Sequence, residues 1–172
     1  MKVFTIGHSS RSFDEFREIL SQYGIDMVID IRKLPDSGKL PHFNRKKLEK
    51  ELPAHGIDYV HFPDLGGFRR GGYEAYAQTP EFKEAVRKFL TVVKGKHAAV
   101  MCAEIVPFRC HRRYVAEELV KRGFPVIHIY NKERLQEHKL HDPEIEQKMQ
   151  LRISCDDSQS PKEELEESLQ EL

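Results

Sequence analysis

Short apolar runs with β-strand composition alternate with helical-period segments, and this alternation constrains the fold more than any other feature. Five runs are predicted strands: Val3–Ile6, Met27–Ile31, Asp58–Phe62, Ala98–Cys102 and Val126–Tyr130. Four helices are predicted between them, each ending near a glycine that suits a left-handed cap: Ser12 to Gly24, Lys46–His55, Pro80–Val93 and His111–Arg122. This alternation predicts an α/β fold with an open, mostly parallel five-stranded sheet and helices on both faces.

The alternation stops after Tyr130. We predict an α/β domain over residues 1–131, a polar helical C-terminal extension over 132–153, and an acidic tail with a short amphipathic helix over 154–172. The tail has seven acidic residues and one lysine, whereas the rest of the chain has 27 basic and 21 acidic residues and a net charge of +6. A moderately basic body suits an anionic partner, with a small anionic substrate favoured and nucleic acid kept as an alternative.

Several classes of protein are not expected from this sequence. The apolar runs are far shorter than the ~20 residues of a membrane span, and Met1–Gly7 is too short for a secretory signal. Three cysteines do not form the framework of a small secreted fold, so we expect free thiols, a cytoplasmic location and no membrane partner. No phosphate-binding loop or dinucleotide fingerprint is present, so no cofactor is predicted. The oligomeric state stays open, a homodimer being one alternative.

The strongest candidate site lies where the fourth predicted strand passes into the fourth helix. Cys102 and Glu104 end the strand, and Cys110, His111 and Arg112 open the helix. Amides and the dipole at a helix N-terminus attract anions and lower the pKa of a thiol. Either Cys102 or Cys110 could therefore be a thiolate nucleophile, with Glu104 or His111 as proton carrier. Cys102 could instead be a small buried residue that closes the strand.

Polar residues also follow the first two predicted strands. His8 and Ser9 come after the first strand, and Asp30 and Arg32 end the second. The carboxyl ends of parallel strands share one rim, so these residues and Arg112 are predicted to bind the substrate anion there. The structural alternatives are a helix cap for the serines that follow and an ion pair between Asp30 and Arg32.

Two other uses of the cysteines are open. Cys102 and Cys110 could form a redox pair, although their interval of eight residues is longer than usual. Cysteine and histidine are zinc ligand types, but the spacing matches no closed zinc motif, and no metal site is predicted. Two long connections, residues 33–44 and 63–78, break the regular pattern, and loops of this length in a compact domain are usually functional or disordered.

The sequence resembles the prokaryotic family known as domain of unknown function 488. The resemblance covers roughly residues 3–130 and rests on four motifs: Thr5-Ile6-Gly7-His8-Ser9, Val28-Ile29-Asp30-Ile31-Arg32 with Pro35 and Ser37, Leu65-Gly66-Gly67, and Met101-Cys102-Ala103-Glu104 with Pro107 and Cys110-His111-Arg112. It implies that the strand exits are the working part, and it names no reaction.

From the residues we expect a thiol-dependent hydrolase or transferase. Its substrate would be anionic, with a phosphate- or sulfur-containing group, and a nucleotide would fit this description. The alternative class is a non-catalytic nucleic-acid or nucleotide-binding module that uses the basic loops.

Overall fold

A six-stranded sheet forms the centre of the computed structural model, which describes residues 1–140. The strands are β1 (Val3–Gly7), β2 (Met27–Asp30), β3 (Asp58–His61), β4 (Ala98–Cys102), β5 (Val126–Ile129) and β6 (Leu135–Glu137). Their order is β3-β2-β4-β1-β5-β6, and only the β5–β6 pair is antiparallel. The predicted α/β fold is confirmed, and the five expected strands differ from prediction by at most one residue at the carboxyl end.

Five α-helices connect the strands: α1 (Phe13–Gln22), α2 (Arg45–Ala54), α3 (Tyr73–Ala77), α4 (Pro80–Val92) and α5 (Arg112–Lys121). Ser12 and Thr79 cap α1 and α4, because their side chains accept hydrogen bonds from the backbone N–H groups of Glu15 and Phe82. The four predicted helices are confirmed. The short α3 was not predicted, and it lies in the second long loop after Gly72.

Each face of the sheet has its own apolar core. On one face α1 and α2 bury Phe16 and Leu48, and on the other α4 and α5 bury Phe89 and Leu119. This division is what right-handed crossovers require, because the chain first runs outward from β1 to β3 and then returns through β4 to β5. The chain leaves β4 and its two neighbours toward opposite faces, so the carboxyl end of β4 opens a crevice.

The sixth strand corrects the expected C-terminal extension. Residues 135–137 were assigned to a helix, but they pair with β5 along Ile127–Ile129. The backbone groups at the edge of β5 supply this pairing, which the exposed Leu-Gln-Glu sequence does not signal. The compact unit therefore continues to Lys139. The rest of the predicted extension and the acidic tail lie outside the described residues. Within residues 1–140, no helix has the length and apolarity needed to cross a membrane.

Candidate active site

A pocket of about 600 Å³ opens beside the carboxyl ends of β2 and β4. Residues that follow these two strands line the pocket together with residues of the two long connections. The lining residues are Arg32, Lys33, Leu34, Gly67, Phe68, Arg69, Gly72, Tyr73, Cys102, Ala103, Glu104, Arg109, Cys110 and His111. The pocket therefore contains the four predicted catalytic residues and one of the predicted anion-binding residues.

Two thiols lie in contact in this pocket. Cys102 ends β4 and Cys110 follows the 3-10 turn Pro107–Arg109; their side chains are only 7% and 8% exposed, and their sulfurs are 3.1 Å apart. The backbone N–H of Arg112 lies 3.5 Å from Cys110 Sγ, and His111 Nδ1 lies 3.6 Å from it. Three potential donors thus surround the Cys110 sulfur.

These neighbours separate the pKa values of the two thiols. Its hydrogen bond with Cys102 is the largest cause that lowers the pKa of Cys110, and His111 and Arg112 lower it further although burial opposes them. The same hydrogen bond and burial raise the pKa of Cys102 above its usual range. Of the two predicted nucleophiles, Cys110 therefore has the lowered pKa and Cys102 the raised one.

The same cluster is the group in residues 1–140 that could hold a metal ion. One ligand atom each from Cys102, Cys110 and His111 lie within 4.8 Å of one another. Two thiolates bound to tetrahedral zinc, with Zn–S bonds near 2.3 Å, are about 3.7 Å apart. The observed separation of 3.1 Å is closer than that, so the sulfurs would have to move apart to admit an ion.

His111 and Glu104 stand beside the thiols. The His111 ring packs against Tyr73 with centroids 5.0 Å apart, and its buried Nε2 has no hydrogen-bond partner among the described residues. A Cβ on Gly67 would lie 3.2 Å from His111 Nδ1, so this glycine lets the loop pass close to the imidazole. Glu104 Oε1 accepts a hydrogen bond from the backbone N–H of Val106 at 2.9 Å. Both predicted proton carriers line the pocket.

Arg112 has a different position from the one its sequence context suggested. Its side chain is fully buried and does not line the pocket. The guanidinium donates to Thr5 Oγ1 at 3.2 Å, to the Ile105 carbonyl at 3.3 Å and to the Glu104 carbonyl. These contacts hold the segment after β4 in place, so the arrangement favours a supporting role over contact with a substrate anion.

Asp30 and Arg32 form a buried ion pair, which is the structural alternative to anion binding by these two residues. Asp30 accepts hydrogen bonds from Arg32 Nε at 2.9 Å and Nη2 at 2.6 Å, and from the Tyr59 hydroxyl at 2.6 Å. Burial lowers the pKa of Arg32, but the side-chain hydrogen bonding to Asp30 and the charge of Asp30 raise it overall. Arg32 lines the pocket, whereas Asp30 is fully buried and orients it.

His8 lies on the far side of this ion pair. Its Nε2 is 3.2 Å from Arg32 Nη1, its Nδ1 is 2.8 Å from the Ser9 carbonyl, and its ring stacks on Phe43. Burial is the main cause that lowers the pKa of His8 to about 4, so the ring is a neutral acceptor at pH 7. His8 does not line the thiol pocket, and Ser9 lines a separate pocket of about 560 Å³. The residues that were predicted to share one rim therefore do not line a common pocket.

Two cations at the pocket were not among the predicted anion-binding residues. The Lys33 and Arg109 side chains are exposed pocket-lining groups that form no hydrogen bond or ion pair within the described part of the chain. Phe68, which is 85% exposed with φ 56°, also lines the pocket. The sequence could have identified Lys33 as a pocket residue, because it directly follows the strand-end residues Asp30 and Arg32. The signal for Phe68 was the glycine pair before it.

Comparisons with known proteins identify a family without a described activity. The family model described as Domain of unknown function DUF488 matches residues 12–119, which is more than half of the chain. No curated protein and no solved structure matches the chain.

Proposed function

We propose that this chain, which belongs to the family of the domain of unknown function DUF488, is a cysteine-dependent enzyme with Cys110 as its nucleophile. The observation that carries this proposal is the Cys110 sulfur, which lines the pocket and lies close to the Cys102 thiol, the Arg112 N–H and the His111 ring. A thiolate is the nucleophilic form of cysteine, and these neighbours stabilise it at neutral pH.

The substrate in this proposal is a small anion with a phosphate- or sulfur-containing group. Lys33 and Arg109 are charged pocket residues without a partner in residues 1–140, whereas the Asp30 carboxylate already neutralises Arg32. Cations that protein carboxylates do not neutralise favour an anionic ligand. Thiolate attack on such a group would be the first step of a hydrolase or transferase reaction.

His111 and Glu104 are the proton carriers in this scheme. His111 lines the pocket, and its Nδ1 lies 3.6 Å from the Cys110 sulfur, with which it could exchange a proton. Glu104 lines the same pocket and uses one carboxylate oxygen on the Val106 N–H. Reduced thiols are required for this chemistry, so we place the protein in the cytoplasm.

The thiolate is tested by alkylation at graded pH. In a Cys155→Ser background, which removes the third cysteine, we expect iodoacetamide to label Cys110 at pH 6 nearly as fast as at pH 8. An ordinary thiol with a pKa near 8.5 would react roughly 100-fold more slowly at pH 6 because so little of it is ionised. Peptide mass spectrometry identifies the labelled residue. Labelling that begins only near pH 8.5 would contradict the proposal.

Two variants control this experiment. Cys110→Ser should lose the labelling at pH 6, which assigns it to that residue. Cys102→Ala removes the thiol partner and should move the labelling of Cys110 to higher pH, because the hydrogen bond with Cys102 is the main cause of its low pKa. Circular dichroism checks that both variants are folded.

The anion site is tested by protection against the same label. Inorganic phosphate should slow alkylation of Cys110, and the Lys33→Glu, Arg109→Glu double variant should need at least about tenfold more phosphate for equal protection, since each lost contact is worth on the order of 1 kcal/mol. The matched control reverses Lys88 and Lys94, exposed cations outside the pocket. Equal loss in both double variants would indicate a general charge effect and no anion site.

A nucleotide-binding module is the second candidate, and Phe68 is the observation that favours it. This exposed aromatic ring lies in the pocket wall beside Arg69, and aromatic rings next to cations stack nucleobases. Titration with nucleoside monophosphates would decide between the candidates. Binding that Phe68→Ala weakens, together with ordinary thiol reactivity, would favour the module over the enzyme.

A further inference from the structure

We propose that Cys102 is the resolving thiol of this site and closes a reversible disulfide with Cys110 when a hydroperoxide oxidises the Cys110 sulfur. This step rests on the proposed function in one respect, since it starts from the reactive Cys110 thiolate. It adds that oxidation switches the same site off, because a disulfide removes the nucleophile.

The first support is the distance between the sulfurs. They are 3.1 Å apart, and a disulfide bond is about 2.0 Å long, so each side chain has to move only slightly. The chain already holds both partners: Cys102 ends β4, where Gly7 of β1 is its pairing partner, and the amide of Cys110 donates to the Pro107 carbonyl. No segment has to unfold to bring the thiols together.

The second support is access for the oxidant. Both cysteines line the 600 Å³ pocket, although each is less than one-tenth exposed overall. A small peroxide can therefore reach Cys110, whereas a large thiol-reactive protein is hindered. Low-pKa thiolates beside a second cysteine are the thiols that form sulfenic acids and then disulfides.

The chemistry balances with a peroxide and a thiol reductant. The Cys110 thiolate attacks the terminal peroxide oxygen; the O–O bond breaks, an S–OH group forms, and the alkoxide or hydroxide leaves and takes up a proton. The Cys102 sulfur then attacks the sulfenic sulfur, losing its proton and forming the S–S bond as water leaves. Two equivalents of a small thiol restore both cysteines by exchange and become oxidised to their own disulfide.

The structure also gives a reason for a thiol at position 102. A residue that only closed β4 and filled the core would not need a sulfur directed at Cys110. Cys102 is instead the hydrogen-bond partner of Cys110, so its sulfur is already at the atom that becomes electrophilic on oxidation. The resolving step follows from this contact without another residue.

The full-length chain with Cys155→Ser tests this proposal by intact-mass measurement. One equivalent of hydrogen peroxide should lower the mass by two hydrogen atoms, and dithiothreitol should restore it. In Cys102→Ser the same treatment should add one oxygen atom, and dimedone should trap the sulfenic acid at residue 110. Cys102→Ala provides a second resolving-site variant if the serine variant does not fold. Cys110→Ser should keep its mass.

Three outcomes would overturn the proposal. One is a parent chain that gains two or three oxygen atoms at Cys110 without losing hydrogen, because a resolving thiol should intercept the sulfenic acid. Another is a disulfide only between two copies of the chain, visible on a non-reducing gel. The third is purified chain with one equivalent of zinc bound by thiols that peroxide does not oxidise. The alkylation profile at graded pH is measured on the same sample, so a reactive thiolate without a disulfide refutes this inference while leaving the proposed function standing.

Discussion

Replacing Gly7 with alanine is expected to destabilise the protein by at least about 3 kcal/mol and to prevent the native site from forming. A Cβ on Gly7 would lie 1.9 Å from the Glu104 carbonyl oxygen and 2.7 Å from Ile105 Cα. Both obstacles are backbone atoms, so no rotation of a flexible side chain can relieve the overlap. The segment after β4 would have to move.

That segment cannot move without losing other contacts. The backbone N–H groups of His8 and Ser9 donate to the Cys102 and Ala103 carbonyls, each at 2.9 Å, and buried Arg112 donates to the Glu104 and Ile105 carbonyls. Displacement would break these hydrogen bonds and leave buried polar groups without partners.

Urea unfolding measures the effect of this substitution. Gly38→Ala is the matched control, since nothing lies within 4 Å of its Cβ position. We expect Gly38→Ala to keep the urea midpoint of the parent chain and Gly7→Ala to lower it by at least about 1 M. Equal midpoints for the two variants would mean that β1 and the segment after β4 are not packed as described.

Lowering the pH from 7 to 5 is expected to cost about 3 to 4 kcal/mol of folding free energy through two buried histidines, His8 and His128. Burial lowers the pKa of His8 to about 4, and burial followed by the charges of His138 and Arg112 lowers the pKa of His128 to about 3. Both values lie below the ordinary histidine pKa of 6.5. Between the unfolded pKa and the folded pKa of each ring, the unfolded chain binds a proton that the folded chain does not. The free energy of unfolding therefore decreases as the pH falls.

The thiolate contributes in the same direction. The pKa of Cys110 is lower in the folded chain than in the unfolded chain. As the pH falls, the unfolded chain therefore takes up the thiol proton at a higher pH than the folded chain does. A Cys110→Ser background therefore isolates the histidines. Urea unfolding at pH 7, 6 and 5 should then show a slope that His8→Asn reduces by about half, whereas substitution of exposed His55 by glutamine should leave it unchanged. A stability that is equal at pH 7 and pH 5 would show that these rings are protonated in the folded chain.

Sequence patterns alone predicted the α/β class, five of the six strands and the four main helices. These features depend on local chemistry, since strand composition, helical period, capping by Ser12 and the glycines near the helix ends act over a few residues. It also located the thiols, because a strand followed by a helix places both ends of the Cys102–Cys110 segment at the same crevice.

Which of these residues line the same pocket depends on long-range packing, and the sequence patterns did not predict it. Arg112 follows Cys110 by two residues, but its side chain enters the interior and holds the Glu104 carbonyl. Ser9 follows β1 with φ 49° and lines another pocket, whereas Lys33 extends from the end of β2 into the thiol pocket. Composition cannot fix these directions, because side chains in loops and at helix starts have no repeating period, and long-range packing against other segments sets where each one points.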